Sequence, residues 1–337
     1  MRILENYSLE KHNTFHLKVR TRWFMEYESE EELSRILHDE YFQENISLHI
    51  GEGSNLLFIN DYSGIILHSK IHGIEIVEET DDEVLLRVGA GEKWDDVVAF
   101  ATSHGWSGIE NLSLIPGETG AAAVQNIGAY GAEIKDVVKS VETYNQLTFE
   151  KRVFTNEECE YSYRNSFFKD PNHDPYIITY VCLRLSKKPR YILNYGNLEE
   201  EMKKYPEVSP TTIREAVCNI RRSKLPDPNE LGNAGSFFMN PIISKEKFDE
   251  LKIRFPNIPS YPVGNDKVKV PAGWMIEQCG FRGKSVGNVG VYEKQALVLV
   301  NLGGADGDEI ALAAESIRQT VFDRFGIEIF PEVKYIN

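Results

Sequence analysis

The residues from Ile115 to Gly131, IPGETGAAAVQNIGAYG, constrain this chain more than any other stretch. Seventeen consecutive positions hold no Lys or Arg, a single Glu and four glycines. Glycines spread through the segment tell against one regular helix, because each costs helix stability. A buried strand fits no better, since the residues offer no side-chain pattern to pack. Such a ribbon can instead bring bare backbone N–H groups close to a flat or anionic ligand. The alternative is a flexible surface loop, but long loops are ordinarily more polar.

The rest of the chain bounds that ligand. Its 337 residues are too many for one ordinary core and imply two or three domains, and an apolar fraction of 42% is enough to fill them. A net charge of −15 tells against a general nucleic-acid or anionic-membrane partner, so an anionic ligand needs a local basic cluster. Residues 1–15 contain no apolar signal core, and the run Ala296 to Val300 is too brief to span a bilayer. Cys159, Cys182, Cys218 and Cys279 form no Cys-x-x-Cys pair and read as thiols in a reducing compartment. These features describe a soluble, cytoplasmic, multidomain protein.

Periodicity and punctuation place the elements. Ser29 to Glu32 has the form of a capping box ahead of a helix through Leu37. Strands are expected at Ser47–Ile50, Gly64–His68, Gly73–Glu78, Glu83–Val88, Val137–Tyr144, Phe149–Phe154, Tyr176–Leu185 and Ala296–Val300. Helices are expected over Glu92–His104, from Ser209-Pro210 to about Arg222, over Pro271–Cys279 and from Ile310 to Phe325, the last stopped by Gly326. A domain boundary is expected before Ser209. The final strand alternates Ile327, Ile329, Pro331, Val333 and Tyr335 on one side, which turns Glu332 to the other.

Several segments could carry chemistry. Gly51-Glu52-Gly53-Ser54-Asn55-Leu56-Leu57 follows a strand with a donor-rich turn suited to phosphate, although a plain tight turn fits as well. It lacks the third glycine of a dinucleotide fingerprint, and no clear βαβ unit comes after it. Arg164 stands among aromatic and small residues, where a guanidinium either forks onto a carboxylate ligand or makes a structural ion pair. Arg214, Arg221, Arg222 and Lys224 supply a basic cluster, or merely a solvated face. Gly232 to Pro241, GNAGSFFMNP, sets a lone Ser236 between small residues and two Phe. It is not a nucleophile elbow, and no His comes after His173, which together tell against a Ser-His-Asp hydrolase. Gly283-Lys284-Ser285 lacks the first glycine of a P-loop, its place being taken by Gln278.

In order and spacing, GEGSNLL at 51–57, IPGETGAAAVQNIGAYG at 115–131, YRNSFFK at 163–169, KLPDP at 224–228, GNAGSFFMNP at 232–241, QALVLVN at 295–301 and PEVKYI at 331–336 resemble the UDP-N-acetylenolpyruvoylglucosamine reductase family, also called UDP-N-acetylmuramate dehydrogenases. The resemblance covers nearly the whole chain. It implies an α+β fold, with a two-lobed FAD-binding domain of the vanillyl-alcohol-oxidase type and a smaller α+β substrate domain. The lobes would be residues 1–70 and 71–208, the substrate domain 209–326, and 327–337 a strand returning to the active site.

What the resemblance implies for the site is specific. Non-covalent FAD would be held by Gly51, Gly53, Ser54, Asn55, Leu56, Ile115, Pro116, Gly117, Gly120, Ala121, Asn126, Gly128 and Arg221. Tyr130, Tyr195, Lys224, Asn240 and Gln295 would contact a UDP-sugar, and Tyr195 suggests the subtype with a loop closing over the nucleotide. NADPH would be the co-substrate and the protein a monomer. Ser236 would be the proton donor, with Arg164 and Glu332 stabilising the negative charge that hydride transfer leaves on the enolpyruvyl group. Glu332 must be protonated to donate, so desolvation is expected to raise its pKa. The sequence departs from the family at Met239 where Lys is usual, Tyr292 where His is common and Lys334 where Arg is expected. The competing readings are an oxygen-using FAD oxidase of the same fold and a non-catalytic sugar-nucleotide binder.

Overall fold

The computed structural model describes residues 1–173, 175–188 and 190–337, and their contacts fall into two compact units. The first comprises Met1–Tyr7, Thr21–Glu52 and Ser63–Ser223, and the second Ser8–Arg20, Gly53–Tyr62 and Lys224–Asn337.

Two sheets organise the first unit. Strands Arg2–Ser8, Arg20–Tyr27, Tyr62–Ser69 and Ser47–Ile50 lie in that order, with Ser47–Ile50 parallel to Tyr62–Ser69. The helix Glu30–Leu37 packs Leu33, Ile36 and Leu37 into the core that this sheet shares with Phe42. Ser29 caps that helix by accepting from the Glu32 N–H. The reciprocal half of the expected box is displaced by one residue, because Glu32 accepts from the Glu28 N–H and from the amino terminus instead.

The second sheet is antiparallel, in the order Lys151–Thr155, Val138–Asn145, Tyr176–Ser186, Glu83–Gly89 and Ile74–Glu79. The β-branched run of Tyr176–Ser186 takes the centre, where both of its edges are paired. The helix Trp94–Ser103 closes one core with fully buried Trp94, Val97, Val98 and Ala101. Within the glycine-rich ribbon a short helix, Thr119–Gln125, does form, flanked by irregular backbone. Three alanines make that turn possible, and Asn126 ends it in the left-handed conformation, φ 46°.

The boundary expected before Ser209 does not coincide with the division of contacts, which falls after Ser223. Ser209 and Thr212 cap the helix Pro210–Lys224 reciprocally. Ile213, Ala216, Val217 and Ile220 then bury against Leu198 and Met202, and Arg214 grips Asp95 through two bonds of 2.6 and 2.8 Å.

In the second unit the strands Gly232–Ser236, Val298–Asn301, Val289–Val291 and Ser285–Val286 form an antiparallel sheet. The helix Gly307–Phe325, opened by a complete Asp306/Glu309 capping box, buries Ile310, Ala314, Ile317, Val321 and Phe325. A three-stranded sheet of Ile242–Ser244, Lys267–Lys269 and Tyr261–Val263 accompanies the helix Lys245–Arg254. The expected strand from Ile327 to Tyr335 contracts to Lys334–Ile336, parallel to Leu56–Phe58. The preceding residues do alternate, with Ile327, Ile329 and Val333 buried, but Pro331 has no N–H to give to a ladder and makes only an isolated bridge to Phe238.

Candidate active site

Each unit assembles part of the predicted residue set. In the first unit the ribbon is fastened by side chains from elsewhere. The Gly117 N–H donates to Glu52 at 3.1 Å, and the Gly120 N–H to the Ala90 carbonyl at 3.0 Å. A Cβ at 120 would stand 2.9 Å from that of Ala90, so Gly120 is needed for close packing whatever else it contacts. Asp95 accepts from the Leu114 N–H, and Arg221 Nε donates to the Leu114 carbonyl at 3.2 Å, gripping one residue's backbone from both sides. Asn126 is buried, donating to the Ser162 carbonyl at 2.7 Å and accepting from the Lys135 N–H at 3.3 Å. Ile115 and Gly128 are half-buried, while Pro116 and Ala121 are exposed.

Arg164 closes over the far end of the ribbon. Its Nη2 donates to the Gly128 carbonyl at 2.8 Å, and its Nη1 would lie 3.1 Å from a Cβ at 128. A Cβ there would also crowd Glu133 Cγ at 2.9 Å and the Ala132 carbonyl at 3.0 Å. Leu114, Asn126, Tyr130 and Arg164 all have φ between 46° and 57°, a conformation that costs a non-glycine residue of order 1 kcal/mol. Four such residues in and around one ribbon mark it as a place where shape is over-determined for a purpose.

Electrostatics points the same way. Arg221 is half-buried and, among the described residues, has no carboxylate within ion-pair distance. Burial pulls its pKa below the usual guanidinium value, and the nearby charge of Arg164 acts in the same sense. Burial also raises the Tyr130 phenol, against the pull of Arg221. A local excess of positive charge therefore exists in an acidic chain, and an anion would relieve it. Tyr195 lies 39% exposed beside Gly131, whose Cβ would meet Tyr195 Cβ at 3.6 Å.

In the second unit the strand Gly232–Ser236 carries its serine at a bulge between Asn233 and Ser236. Gly235, at φ 65°, turns the chain, and its N–H is held by Asn233. Phe237 and Phe238 bury themselves in the core immediately after it, leaving Ser236 exposed. The Glu332 N–H donates to the Phe237 carbonyl at 2.8 Å, which sets the backbone of Glu332 beside that of Ser236's neighbour. Glu332 is half-buried.

The turn after Gly51 joins the same construction. Gly53 adopts φ 72° where any Cβ would fall 2.0 Å from the His12 carbonyl, so no other residue fits. Asn55 Nδ2 donates to the Glu332 carbonyl at 3.2 Å, and the Asn55 carbonyl accepts from the Lys334 N–H at 3.0 Å. Ser54, Asn55 and Leu56 are half-buried, Gly51 likewise in the first unit. Asn240 accepts from the Ala272 N–H at 2.9 Å, Gln295 packs beside Gly273, and Lys224 is exposed.

Sequence reading overlooked Asn111. Buried just ahead of the ribbon, it donates to the carbonyls of Tyr130 and Ile192, both at 2.8 Å. Its one signal was an amide in Glu-Asn-Leu-Ser, which nothing in the sequence marked as buried.

Comparison with known proteins is consistent with this division. Residues 227–336 match the C-terminal domain family of UDP-N-acetylenolpyruvoylglucosamine reductase, and residues 22–146 match the FAD binding domain family. Proteins named UDP-N-acetylenolpyruvoylglucosamine reductase from Bacteroides fragilis and Porphyromonas gingivalis are each 50% identical to this chain. The first match covers 98% of this chain and 99% of the relative, the second 100% of both. The crystal structure of the Thermus caldophilus UDP-N-acetylenolpyruvylglucosamine reductase shares the fold, with a TM-score of 0.70, 22% identity and complete coverage of both chains. A 6-hydroxy-D-nicotine oxidase from Arthrobacter nicotinovorans shares it more distantly, with a TM-score of 0.57 and 12% identity over 97% of this chain and 86% of that one.

Proposed function

This chain belongs to the UDP-N-acetylenolpyruvoylglucosamine reductase family, and on that premise we propose that Ser236, Glu332 and Arg164 carry its reaction. The protein is an FAD-dependent oxidoreductase that reduces UDP-N-acetylglucosamine enolpyruvate to UDP-N-acetylmuramate for peptidoglycan synthesis. When bound, FAD would supply the redox chemistry, relaying hydride between NADPH and C3 of the enolpyruvyl group.

The donor set fits that cofactor. A half-buried Arg221 without a carboxylate partner among the described residues suits a diphosphate, and a side-chain-poor ribbon suits close approach to a flat ring. Gly51, Gly53, Ser54, Asn55 and Leu56 with Ile115, Pro116, Gly117, Gly120, Ala121, Asn126, Gly128 and Arg221 would hold it. Residues 1–70 and 71–208 would serve as its lobes, with the helix Pro210–Lys224 lending Arg221 to them, and the rest of 209–326 with 327–337 would serve the substrate.

The residues of the chain do the rest. Reduction at C3 leaves negative charge at C2 and on the enolpyruvyl carboxylate. The Arg164 guanidinium and a protonated Glu332 stabilise that charge, and Ser236 Oγ delivers the proton to C2. Tyr130, Tyr195, Lys224, Asn240 and Gln295 orient the UDP-sugar. The observation that carries the residue assignment is the backbone bond from Glu332 to Phe237, which fastens the acid beside the serine strand. Four free cysteines suit a cytoplasmic enzyme, and among the described residues no helix is long and apolar enough to cross a membrane. The protein acts as a monomer without a nucleic-acid partner.

An anaerobic two-step experiment tests the reading. NADPH should bleach the flavin absorbance, and the enolpyruvyl sugar nucleotide should restore it. Persistent bleaching after substrate addition would rule the activity out.

A further inference from the structure

The ribbon contains one acidic side chain, and it is buried. Glu118 is 4% exposed at the start of the helix Thr119–Gln125. Its Oε2 would lie 3.1 Å from a Cβ on Gly51, so the carboxylate sits between two segments assigned to the cofactor. A buried carboxylate is a poor neighbour for a diphosphate, since two negative charges a few ångströms apart in a medium of low polarity repel strongly.

A chain of alternating charges leads away from it. Glu118 Oε1 meets His68 Nε2 at 2.9 Å, and His68 Nδ1 meets Glu26 Oε1 at 3.2 Å. Glu26 Oε2 then meets Arg2 Nη1 at 3.3 Å at the surface. His68 is 2% exposed. Both ring nitrogens face carboxyl oxygens, so a hydrogen must lie on each side, and a neutral imidazole carries only one. Either the ring is an imidazolium between two carboxylates, or one carboxyl is protonated.

Arg2 and Lys70 favour the ionised form of Glu26, so the hydrogen between Glu26 and His68 belongs to the ring. Burial works against the charged form of Glu26, yet the bond and charge of His68, with Lys70 and Arg2, hold its pKa below the usual carboxylate value. His49, on the adjacent strand, is pushed down to about 3 by burial and by the charge of His68. His49 shares a hydrogen bond of 2.7 Å with the Tyr27 hydroxyl, and in its neutral form this second histidine adds no competing charge. Glu26 has Arg2 as its own cation, which leaves the charge of His68 to Glu118.

We infer that His68 is a positioning residue, a buried imidazolium that neutralises Glu118 and so keeps the ribbon and the Gly51 turn receptive to the diphosphate of FAD. The inference rests on the FAD assignment above and adds a charge requirement to it. His68 acts through Glu118 and contacts neither cofactor nor substrate.

A charge-specific pair of variants separates this from a merely structural role. The full-length chain, stripped of flavin, is titrated with FAD and followed by quenching of flavin fluorescence. His68→Gln, which cannot satisfy two carboxylates, should raise the Kd about tenfold or more. Glu118→Gln should leave it within about threefold, and the double variant should return it to that range, as coupled charges do. A double variant as weak as His68→Gln, or a Glu118→Gln loss of equal size, would overturn the inference. Proton–nitrogen NMR of the unaltered chain gives an arm that no folding defect can obscure. Two protonated ring nitrogens on His68 are expected, and one would refute the charged form. Failure of the unaltered chain to bind FAD would instead defeat the cofactor assignment, leaving the NMR result to decide the charge.

Discussion

Two glycine-rich segments, Ile115–Gly131 and Gly232–Asn240, look alike as strings and are ordered in opposite ways. The first is pinned from outside: Glu52, Asp95, Asn111 and Arg221 bind its backbone or the residues just before it. The second is pinned by ladder and core, through pairing with Val298–Asn301 and burial of Phe237 and Phe238. The Asn233 side chain there serves only its own neighbourhood, binding Leu231 and Gly235. The difference suits what each presents. A segment that offers backbone to a ligand has few side chains with which to anchor itself, so distant residues do much of the work. A segment that offers one hydroxyl can bury everything around that hydroxyl.

The largest effect should come from the second segment. Ser236→Ala should slow substrate-driven reoxidation of the flavin by about 10²–10⁴-fold while leaving bleaching by NADPH nearly intact, both read by stopped-flow absorbance. Equal losses in the two steps would remove the contrast between a presented side chain and a presented backbone. Next, Glu332→Ala should slow reoxidation by about 10²–10³-fold, whereas Glu332→Gln, which keeps a donor, should lose only about tenfold. Equal rates for the two would show that no hydrogen bond from position 332 matters.

The ribbon's external pins should register as stability. Asn111→Leu strands the Tyr130 and Ile192 carbonyls and should cost about 1–3 kcal/mol in urea unfolding. No measurable cost would mean the ribbon orders itself. The smallest effect concerns pH. Burial opposes the charge on Asp95, but hydrogen bonds from Arg214 and the Leu114 N–H outweigh it, so its pKa is lowered. A lowered carboxylate stabilises fully above its unfolded pKa and loses that stabilisation as pH falls through the folded value. Asp95→Asn should therefore be less stable than the unaltered chain by about 1 kcal/mol at neutral pH, and the gap should close in acid. A gap independent of pH would assign the effect to packing.

Much of this was legible in residues alone. Capping residues and glycine stops predicted the helices Glu30–Leu37, Pro210–Lys224, Ala272–Gln278 and Gly307–Phe325 to within a few positions, because those signals are local. The strands Arg2–Ser8 and Arg20–Tyr27 escaped notice, since a charged, half-exposed strand has little alternation to betray it.

Sequence by itself settled the family, the cofactor class and which segments are side-chain-poor, since these depend on residue identity and order along the chain. Only the tertiary structure decided what fastens them. Asn55 reaches a carbonyl 277 residues away, and His68 reaches a carboxylate 50 residues on. Bonds between residues so far apart in sequence leave no periodic trace, so nothing short of the folded backbone could reveal them.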